Sequence, residues 1–316
     1  MRIQSLLIDA YTLQYINKLT VKLEMLLRIL TCLCLLKLSA AKPAIHILHM
    51  DGFIVGGNYS IIEDFPHVAF LHIKCKKDGA TYCGASIINQ VILLTAAHCL
   101  HTCTDKQNFS IRAFTGSVKK YKGNKNKVVG FQVHEQYIHK NFTNDIAVLV
   151  LEKNLKFGKG VQKISLMKNL PEYKIAEIAG WGWIDDMNTK TDLLKFTSQE
   201  IMSNEECLKK LPGIPPGTIC GYNPDGSHPQ RGDSGSALVI HKHIQIGLAS
   251  FFKRNYSNKT LIYTNVTYFY DWIDKTAKNM FCEFKNDKKD SSDNCNCNCN
   301  CNCNKTIINE NKKARH

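Results

Sequence analysis

Three short segments of the chain carry side chains that can act together in nucleophilic catalysis. The segments read LTAAHC, NDIAVL and GDSG, and they supply His98, Asp145 and Ser234 in that order. A serine hydroxyl is a weak nucleophile at neutral pH and needs a base to remove its proton. Imidazole titrates near neutrality and can act as that base, and a buried carboxylate can hold the ring in the required tautomer. The sequence therefore predicts an acyl-transfer site in which Ser234 attacks, His98 moves the proton and Asp145 orients His98.

Glycines flank the predicted nucleophile at Gly232 and Gly235. A residue without a side chain lets the backbone approach a substrate where a Cβ atom would clash. The amides of Gly232 and Ser234 are therefore predicted to form an oxyanion hole, in which loss of one donor typically costs about 10²–10³ in rate. Each segment alone also fits a structural role, because histidines beside cysteines, aspartates at strand ends and glycine-rich surface turns are common. The order and flanks of the three segments together favour catalysis.

The elements that must position these residues are predicted to be strands. Short apolar or alternating runs are separated by polar turns, as expected of an all-β protein, and examples are Val68–Ile73, Ile146–Leu151 and Ala237–Ile240. Cys83 lies sixteen residues before Cys99, and the residues between them fit two strands joined by a turn. This spacing predicts a disulfide beside His98.

Further residues match one protein family. Trp181-Gly182 follows Ala179-Gly180, and the run YTNVT precedes a stretch whose apolar residues share one helical face, namely Phe269, Trp272, Ile273 and Met280. With the three catalytic segments, these residues resemble the trypsin/chymotrypsin-like serine proteases over residues 54–280. The resemblance implies two six-stranded Greek-key barrels, with the active site between them and a C-terminal helix. It also implies a Cys207–Cys220 disulfide that supports the wall of the specificity pocket.

The resemblance implies a secreted serine endopeptidase that acts on protein or peptide substrates without a cofactor or metal. Inhibitors of the serpin type or other protease inhibitors are expected partners. The alternative is a protease homologue that has little or no activity and acts as a binding or decoy protein. Such homologues usually lack one of the three catalytic residues, and this chain keeps all three, so the enzyme is favoured.

An activation step is predicted at the run IVGG. In the family, cleavage before this run frees an ammonium that pairs with the acid preceding the nucleophile, here Ile54 and Asp233. A buried ion pair of this kind is not a strong stabiliser, because both charges lose their hydration. Its expected role is that of a switch. The residue before the cut is Phe53, whereas Arg or Lys is usual in the family. We therefore expect an activating protease with a chymotrypsin-like or other aromatic preference, the alternative being a chain that stays a weakly active zymogen.

The predicted specificity pocket departs from that of trypsins. His228 stands where trypsins carry an acid, and Phe252 and Leu261 stand where smaller residues are usual; Ser250 belongs to the same wall. Gln230 replaces a cysteine that normally forms a supporting bridge. These changes predict a shallow pocket that prefers small or medium apolar side chains over Arg and Lys. A blocked pocket with poor turnover, or a His228 that points away into the wall, are the alternatives.

Two further cysteines have no counterpart among the bridges common to the family. Cys75 precedes Cys83 by eight residues, and Cys103 follows Cys99 by four. A Cys83–Cys99 bridge would bring their loops together, which predicts a Cys75–Cys103 disulfide.

The chain divides into four predicted regions. Residues 1–41 comprise an N-terminal extension and a secretory signal, with Met25 as the favoured start and an unusually long signal as the alternative. Its apolar stretch is too short to span a membrane. Residues 42–53 form a propeptide, 54–281 the protease domain and 282–316 a disordered Asn/Cys-rich tail. Five cysteines alternate with asparagine between Cys295 and Cys303, a pattern that fits a tandem expansion better than a thiolate metal site.

Secretion agrees with other features. Seven sequons are predicted glycosylation acceptors, with Asn265 the least favoured, and the others are Asn58, Asn108, Asn141, Asn255, Asn258 and Asn304. An oxidising compartment would preserve the disulfides. The formal net charge is +14, and basic clusters such as Lys119–Lys127 fit either a solvated face or contact with anionic surfaces. No motif or stacking platform for nucleic acid is present in the sequence.

Overall fold

A computed structural model of the full-length chain describes residues 22, 24–25, 27–28, 54–75, 78–103, 109–183, 185, 187, 189–252 and 260–287. The described residues between 22 and 28 are helical. Most of the predicted signal peptide, the predicted propeptide with Phe53, and residues 288–316 of the predicted tail lie outside the described residues. No helix in the described part is long and apolar enough to cross a membrane.

The N-terminal half of the protease domain forms a closed antiparallel barrel. Its strands pair in the order β2-β3-β4-β7-β6-β5, and they are β2 (Val68–Cys75), β3 (Asp78–Ile87), β4 (Ile92–Thr95), β5 (Phe109–Thr115), β6 (Asn124–Val133) and β7 (Ala147–Leu151). Alternate residues of β2 point into the barrel, where Leu71 and Ile73 are buried. In β4 and β7 every residue is buried, because these strands face the barrel interior on one side and further apolar residues on the other.

The C-terminal half forms the second barrel from six strands, and the short β1 (Asn58–Tyr59) pairs with one of them, β9 (Lys195–Ile201). The six strands are β8 (Ile175–Gly180), β9 (Lys195–Ile201), β10 (Thr218–Tyr222), β11 (Ala237–Ile240), β12 (Ile244–Phe252) and β13 (Thr260–Asn265). Their order is β9-β10-β13-β12-β11-β8, and pairing of β8 with β9 closes the ring. The two six-stranded barrels confirm the predicted fold class.

Two α-helices accompany the barrels. Helix α1 (Asn204–Lys210) begins after Ser203, whose hydroxyl accepts a hydrogen bond from the amide of Glu206 at 3.2 Å. Helix α2 (Tyr270–Asp287) is the predicted C-terminal helix, but it is longer than expected. Residues 282–287, which the sequence analysis placed in a disordered tail, continue this helix. The predicted domain boundary at 281 lies within this helix.

A single apolar cluster joins the two barrels and α2. It contains Leu94 and Val148 from the first barrel, Val239 and Leu248 from the second, and Ile273 from the helix, all at most 1% exposed. The helix therefore fills a seam between the barrels rather than covering only one of them. This shared core holds the inner strands of both barrels in a fixed relation, and the predicted catalytic residues lie at the ends of those strands.

Candidate active site

His98 lies on a 3-10 turn (Ala97–Leu100) that directly follows β4. A disulfide joins Cys99, the next residue, to Cys83 on β3, with a Cα–Cα distance of 6.3 Å. A second disulfide joins Cys75 at the end of β2 to Cys103, with a Cα–Cα distance of 4.9 Å. Both pairs are those that the sequence analysis named. The turn that carries the imidazole is thus fastened to the first barrel on both sides.

Asp145 lies just before β7 and is 1% exposed. Its Oδ1 accepts a hydrogen bond from the backbone amide of His98 at 2.8 Å, and its Oδ2 lies 2.7 Å from Nδ1 of the same residue. Because a carboxylate only accepts, Nδ1 is the protonated nitrogen and Nε2 keeps its lone pair. The Ser250 hydroxyl from β12 also donates to Oδ2, and Thr264 Oγ1 donates to the Asp145 carbonyl at 2.9 Å. The second barrel therefore fixes the acid that orients the imidazole of the first.

Ser234 lies on the loop before β11, and its backbone is packed against the turn that carries His98. The amide of Gly84 donates to the Ser234 carbonyl at 2.8 Å, and Cys99 Sγ lies 3.7 Å from the same oxygen. The following residue, Gly235, has a φ of 78°, and a Cβ atom there would lie 2.3 Å from Thr95 Oγ1. Only glycine permits this close approach, so the GDSG sequence is what brings the serine loop against the histidine turn.

The backbone amides around Ser234 differ in whether they have a hydrogen-bond acceptor. Those of Asp233, Gly235 and Ser236 donate to backbone carbonyls at 2.8–2.9 Å. Within the described part of the chain, the amides of Gly232 and Ser234 have no protein acceptor. Gly232 has a φ of 104°, and its α-carbon packs so closely on Gly182 that a Cβ atom would lie 3.0 Å from the Gly182 Cα. Two unpaired donors beside a serine are the arrangement that stabilises an oxyanion.

Asp233 is fully buried, and among the described residues its carboxylate accepts hydrogen bonds from two backbone amides. Gly182 N donates to Oδ1 at 2.7 Å and Gln230 N donates to Oδ2 at 2.9 Å. Burial raises the pKa of Asp233 to about 6, although the two amides and the charge of Lys120 act in the opposite direction. The carboxylate fits closely, since a Cβ atom on Gly180 or Gly182 would lie 2.1–2.3 Å from its oxygens.

Ile54, the predicted partner of Asp233, is 1% exposed. Val55 is bridged to His228, whose amide donates to the Val55 carbonyl at 3.0 Å. In the described residues no hydrogen bond or ion pair joins Ile54 to Asp233. The uncut chain therefore buries the Ile54 side chain, while the partners of the Asp233 carboxylate within the described part of the chain are the two amides.

Comparison with known proteins decides the family. Residues 54–273 match the sequence profile of the Trypsin family. The chain belongs to the trypsin family. Hypodermin-A from Hypoderma lineatum is 32% identical to this protease over 230 residues, which cover 71% of this chain and 86% of that protein. Trypsin epsilon from Drosophila erecta is 29% identical over 267 residues, covering 82% and 99%.

A solved structure also resembles the protease. HL collagenase superposes with a TM-score of 0.63 and 29% identity, covering 70% of this chain and 97% of that one. Collagenase from Hypoderma lineatum is 29% identical in sequence over 245 residues, covering 73% and 90%. The protease is therefore a serine-type endopeptidase, and its substrates are proteins.

The predicted specificity pocket of the protease is lined by large side chains. His228 and Phe252 meet edge to face, with ring centroids 5.7 Å apart. Leu261 pairs with Phe252 across β12 and β13 and is 3% exposed. His228 Nδ1 donates to the Gly226 carbonyl at 2.8 Å, which fixes the ring in place. Ser250, assigned to the pocket wall from sequence, instead directs its hydroxyl to Asp145.

Two aromatic residues of the protease site were missed from sequence. The Phe142 ring lies edge to face with His98 at 5.5 Å between centroids and stacks on Phe251 at 4.9 Å. Phe142 belongs to the loop before Asp145, and Phe251 follows Ser250. Both residues lie close in sequence to predicted site residues, and this was the one sequence feature that could have indicated them. Only the folded structure shows that the two loops meet.

The remaining cysteines near the site are structural. Cys207 and Cys220 form the third disulfide, with a Cα–Cα distance of 5.8 Å between α1 and β10. Cys83, His98 and Cys99 have their possible metal-ligand atoms within 4.8 Å of one another, but both sulfurs belong to one disulfide. A disulfide sulfur is not the thiolate that metals bind, so this cluster offers only the imidazole.

Proposed function

We propose that the protease hydrolyses peptide bonds through a triad of Ser234, His98 and Asp145. The single observation that carries the proposal is the double hold of Asp145 on His98, through the backbone amide at 2.8 Å and Nδ1 at 2.7 Å. This arrangement keeps the proton on Nδ1 and leaves Nε2 as the base. The burial of the carboxylate strengthens its interaction with an imidazolium, because the surrounding dielectric is low.

The proposed reaction uses these groups in turn. Ser234 Oγ attacks the scissile carbonyl carbon while its proton passes to His98 Nε2, and the amides of Gly232 and Ser234 stabilise the oxyanion. The imidazolium returns this proton to the leaving amine as the C–N bond breaks, which leaves an acyl-serine. A water molecule repeats the sequence: His98 takes its proton, the hydroxide attacks the ester, and the proton returns to Ser234 Oγ.

We further propose that the chain is secreted as a zymogen. Cleavage before Ile54 would free an ammonium that pairs with Asp233, a buried carboxylate whose present partners are two amides. The residue before the cut is Phe53, so the activating protease is expected to prefer aromatic residues. Two predicted glycosylation acceptors, Asn58 and Asn141, are exposed. Inhibitors of the serpin type would be further partners of the secreted enzyme.

The substrate preference proposed is for small or medium apolar side chains. His228, Phe252 and Leu261 occupy space that a long basic side chain would need, and none of the three carries the negative charge that would attract Arg or Lys. The large side chains in the pocket also support a second candidate function, that of a protease homologue with little turnover that binds peptides or inhibitors. The two candidates differ in whether the processed chain cleaves any substrate.

The test is digestion of a peptide library by secreted protein whose N-terminus is confirmed as Ile54. The expected result is cleavage after small or medium apolar residues, lost in the Ser234→Ala variant. Activity that survives this substitution would refute the mechanism. Absence of cleavage by protein that starts at Ile54 would favour the binding protein. A secreted product that begins at another residue would overturn the proposed activation site.

A further inference from the structure

A second recess adjoins the oxyanion hole. It has a volume of about 140 Å³ and is bounded by Gly232 on one side. Its aromatic walls come from Tyr82 and Tyr121 of the first barrel and from Trp181 and Trp183 of the second. His228, Phe252 and Leu261 are not among its lining residues, so this recess is separate from the predicted specificity pocket.

The recess is rich in positive charge. Lys120, Lys190 and Arg231 line it, and Asp192 is the one acid among its lining residues. Within the described part of the chain, none of these four side chains forms an ion pair. Three cations therefore outnumber the single acid among the lining residues of the recess.

Two of these cations lie against aromatic rings. Lys120 Nζ is 5.3 Å from the centroid of Phe70, and Arg231 Cζ is 5.1 Å from that of Trp183. Lys120 is half-buried, and burial lowers its pKa although Asp192 and Asp233 raise it. An ammonium with part of its hydration removed gains more from an anionic partner than one in open solvent.

The backbone that carries these side chains is fixed. The amide of Lys120 donates to the Asp192 carbonyl at 2.9 Å, and the amide of Trp183 donates to the Arg231 carbonyl at 2.8 Å. A site whose donors are held in place in this way loses little conformational freedom when a ligand binds.

The position of the recess shows which part of a substrate would reach it. In the proposed mechanism the acyl side chain enters the pocket bounded by His228 and Phe252, and the leaving-group half runs along the other flank of Gly232. Tyr82 lies next to Cys83, which is bonded to Cys99 beside His98, the residue that protonates the leaving amine. The recess is therefore on the leaving-group side.

We propose that this recess selects substrates with an acidic side chain at the first or second residue after the scissile bond. The inference rests on the proposed function, because it uses the same oxyanion hole and proton donor. The carboxylate would accept charge-assisted hydrogen bonds from Lys120, Lys190 and Arg231. Bonds of this kind raise kcat/KM by about 10- to 100-fold when the group that accepts them is present.

The test uses pairs of peptides that share the acyl half found by library digestion and differ only as Glu or Gln after the scissile bond. Processed wild-type protein is expected to show a Glu/Gln ratio of kcat/KM of about tenfold or more. Lys120→Gln and Arg231→Gln should bring the ratio to within about twofold of one. The matched control is Lys156→Gln, an exposed lysine outside the recess, which should keep the wild-type ratio.

Lys120 also acts electrostatically on Asp233, so the exposed Lys190→Gln provides a second variant if Lys120→Gln does not fold. A wild-type ratio near one, or a stronger preference for Phe than for Glu at the same position, would overturn the inference while leaving the protease function intact. Calorimetric binding of the same peptides to the processed Ser234→Ala variant gives the ratio without turnover. If library digestion cleaves no peptide, the proposed function fails separately, and the binding ratio of Glu and Gln peptides built with Ala or Val before the central bond decides the inference.

Discussion

Two buried aspartates, Asp145 and Asp233, occupy opposite situations in the same protease. Asp145 is bound by the amide and the ring of His98 and by the Ser250 hydroxyl. Asp233 is bound by two backbone amides, and in the described residues no cation lies within ion-pair distance of it. Burial raises the pKa of Asp233 to about 6. The first carboxylate has its full set of partners in the uncut chain, whereas the second lacks the counter-ion that a buried charge requires.

In the proposed mechanism, this difference separates orientation of the base, His98, from control of the enzyme through Asp233. Orientation of His98 is built into the fold and needs no processing. A carboxylate without a cation can change its partners when a new charge arrives, which is the property of a switch. We therefore expect substitutions at the two sites to act on different quantities, activity at Asp145 and the pH response of stability at Asp233.

The largest expected effect is that of Asp145→Asn. The amide would disturb the hold on His98 Nδ1 and favour the wrong tautomer, so kcat should fall by about 10⁴. Steady-state kinetics of the processed enzyme measure this loss. Because Asn keeps the shape of the side chain, the midpoint of urea unfolding checks that the fold is retained. A loss below about tenfold would remove Asp145 from the catalytic role.

The pH dependence of stability should distinguish Asp233. Its raised pKa means that the folded uncut chain binds this proton more tightly than the unfolded chain, whose carboxyl has a pKa near 3.8. The protonated Asp233 carboxyl therefore stabilises the fold fully below pH 3.8. This contribution, on the order of 3 kcal/mol, is lost as the pH rises through about 6. Urea unfolding of uncut Ser234→Ala protein between pH 4 and 7 should show this loss.

Two controls sharpen this measurement. Adding Asp233→Asn should remove the Asp233 part of the change in unfolding free energy with pH. The contributions of other carboxyl groups should remain. Cleavage before Ile54 should remove or reverse it, because the new ammonium would lower the pKa of Asp233. Identical slopes in the cut and uncut proteins would contradict the switch.

A smaller effect is expected from Gly182→Ala. The new methyl carbon would lie 2.3 Å from Oδ2 of Asp233, so the carboxylate or its loop must move. We expect about 1–3 kcal/mol of destabilisation, measured by denaturant unfolding. Gly158→Ala is the matched control, since nothing lies within 4 Å of its Cβ position, and it should change stability by less than about 0.5 kcal/mol.

The smallest expected effect is that of Ser250→Ala. It removes one donor to Asp145 Oδ2 and leaves both bonds from His98. Loss of a hydrogen bond to a charged group corresponds to about tenfold in kcat. A change in KM with constant kcat would instead place the Ser250 side chain in substrate binding, the role predicted from sequence alone.

Much of this arrangement follows from sequence because the chemistry demands particular residue types. His98 and Ser234 stand in short motifs, and glycine is needed where the Ser234 loop approaches Thr95. The disulfide spacing of Cys83 and Cys99 likewise reflects a local hairpin. Such features depend on neighbours in the chain, so the pattern of residues is enough to predict them.

Other parts depend on contacts between distant segments. Phe142 and Phe251 are separated by more than a hundred residues, and no local pattern indicates that their rings stack. The hydrogen bond from the Ser250 hydroxyl to Asp145 also joins distant segments, so no local pattern predicts it. The extension of α2 through Asp287 was missed for another reason, since a helix that is already nucleated adds polar residues easily, and composition alone assigned those residues to the tail.

The apolar cluster between the barrels has a consequence for recombination. A chimaera joined after β7, with its two halves taken from different relatives, would inherit one side of this cluster from each parent. Leu94 and Val148 would then meet partners that did not arise with them, and close-packed interiors tolerate such mismatches poorly. Because Asp145 and Ser250 lie on opposite sides of the joint, a chimaera can keep every residue of the proposed triad and still lose the alignment between the two halves of the site.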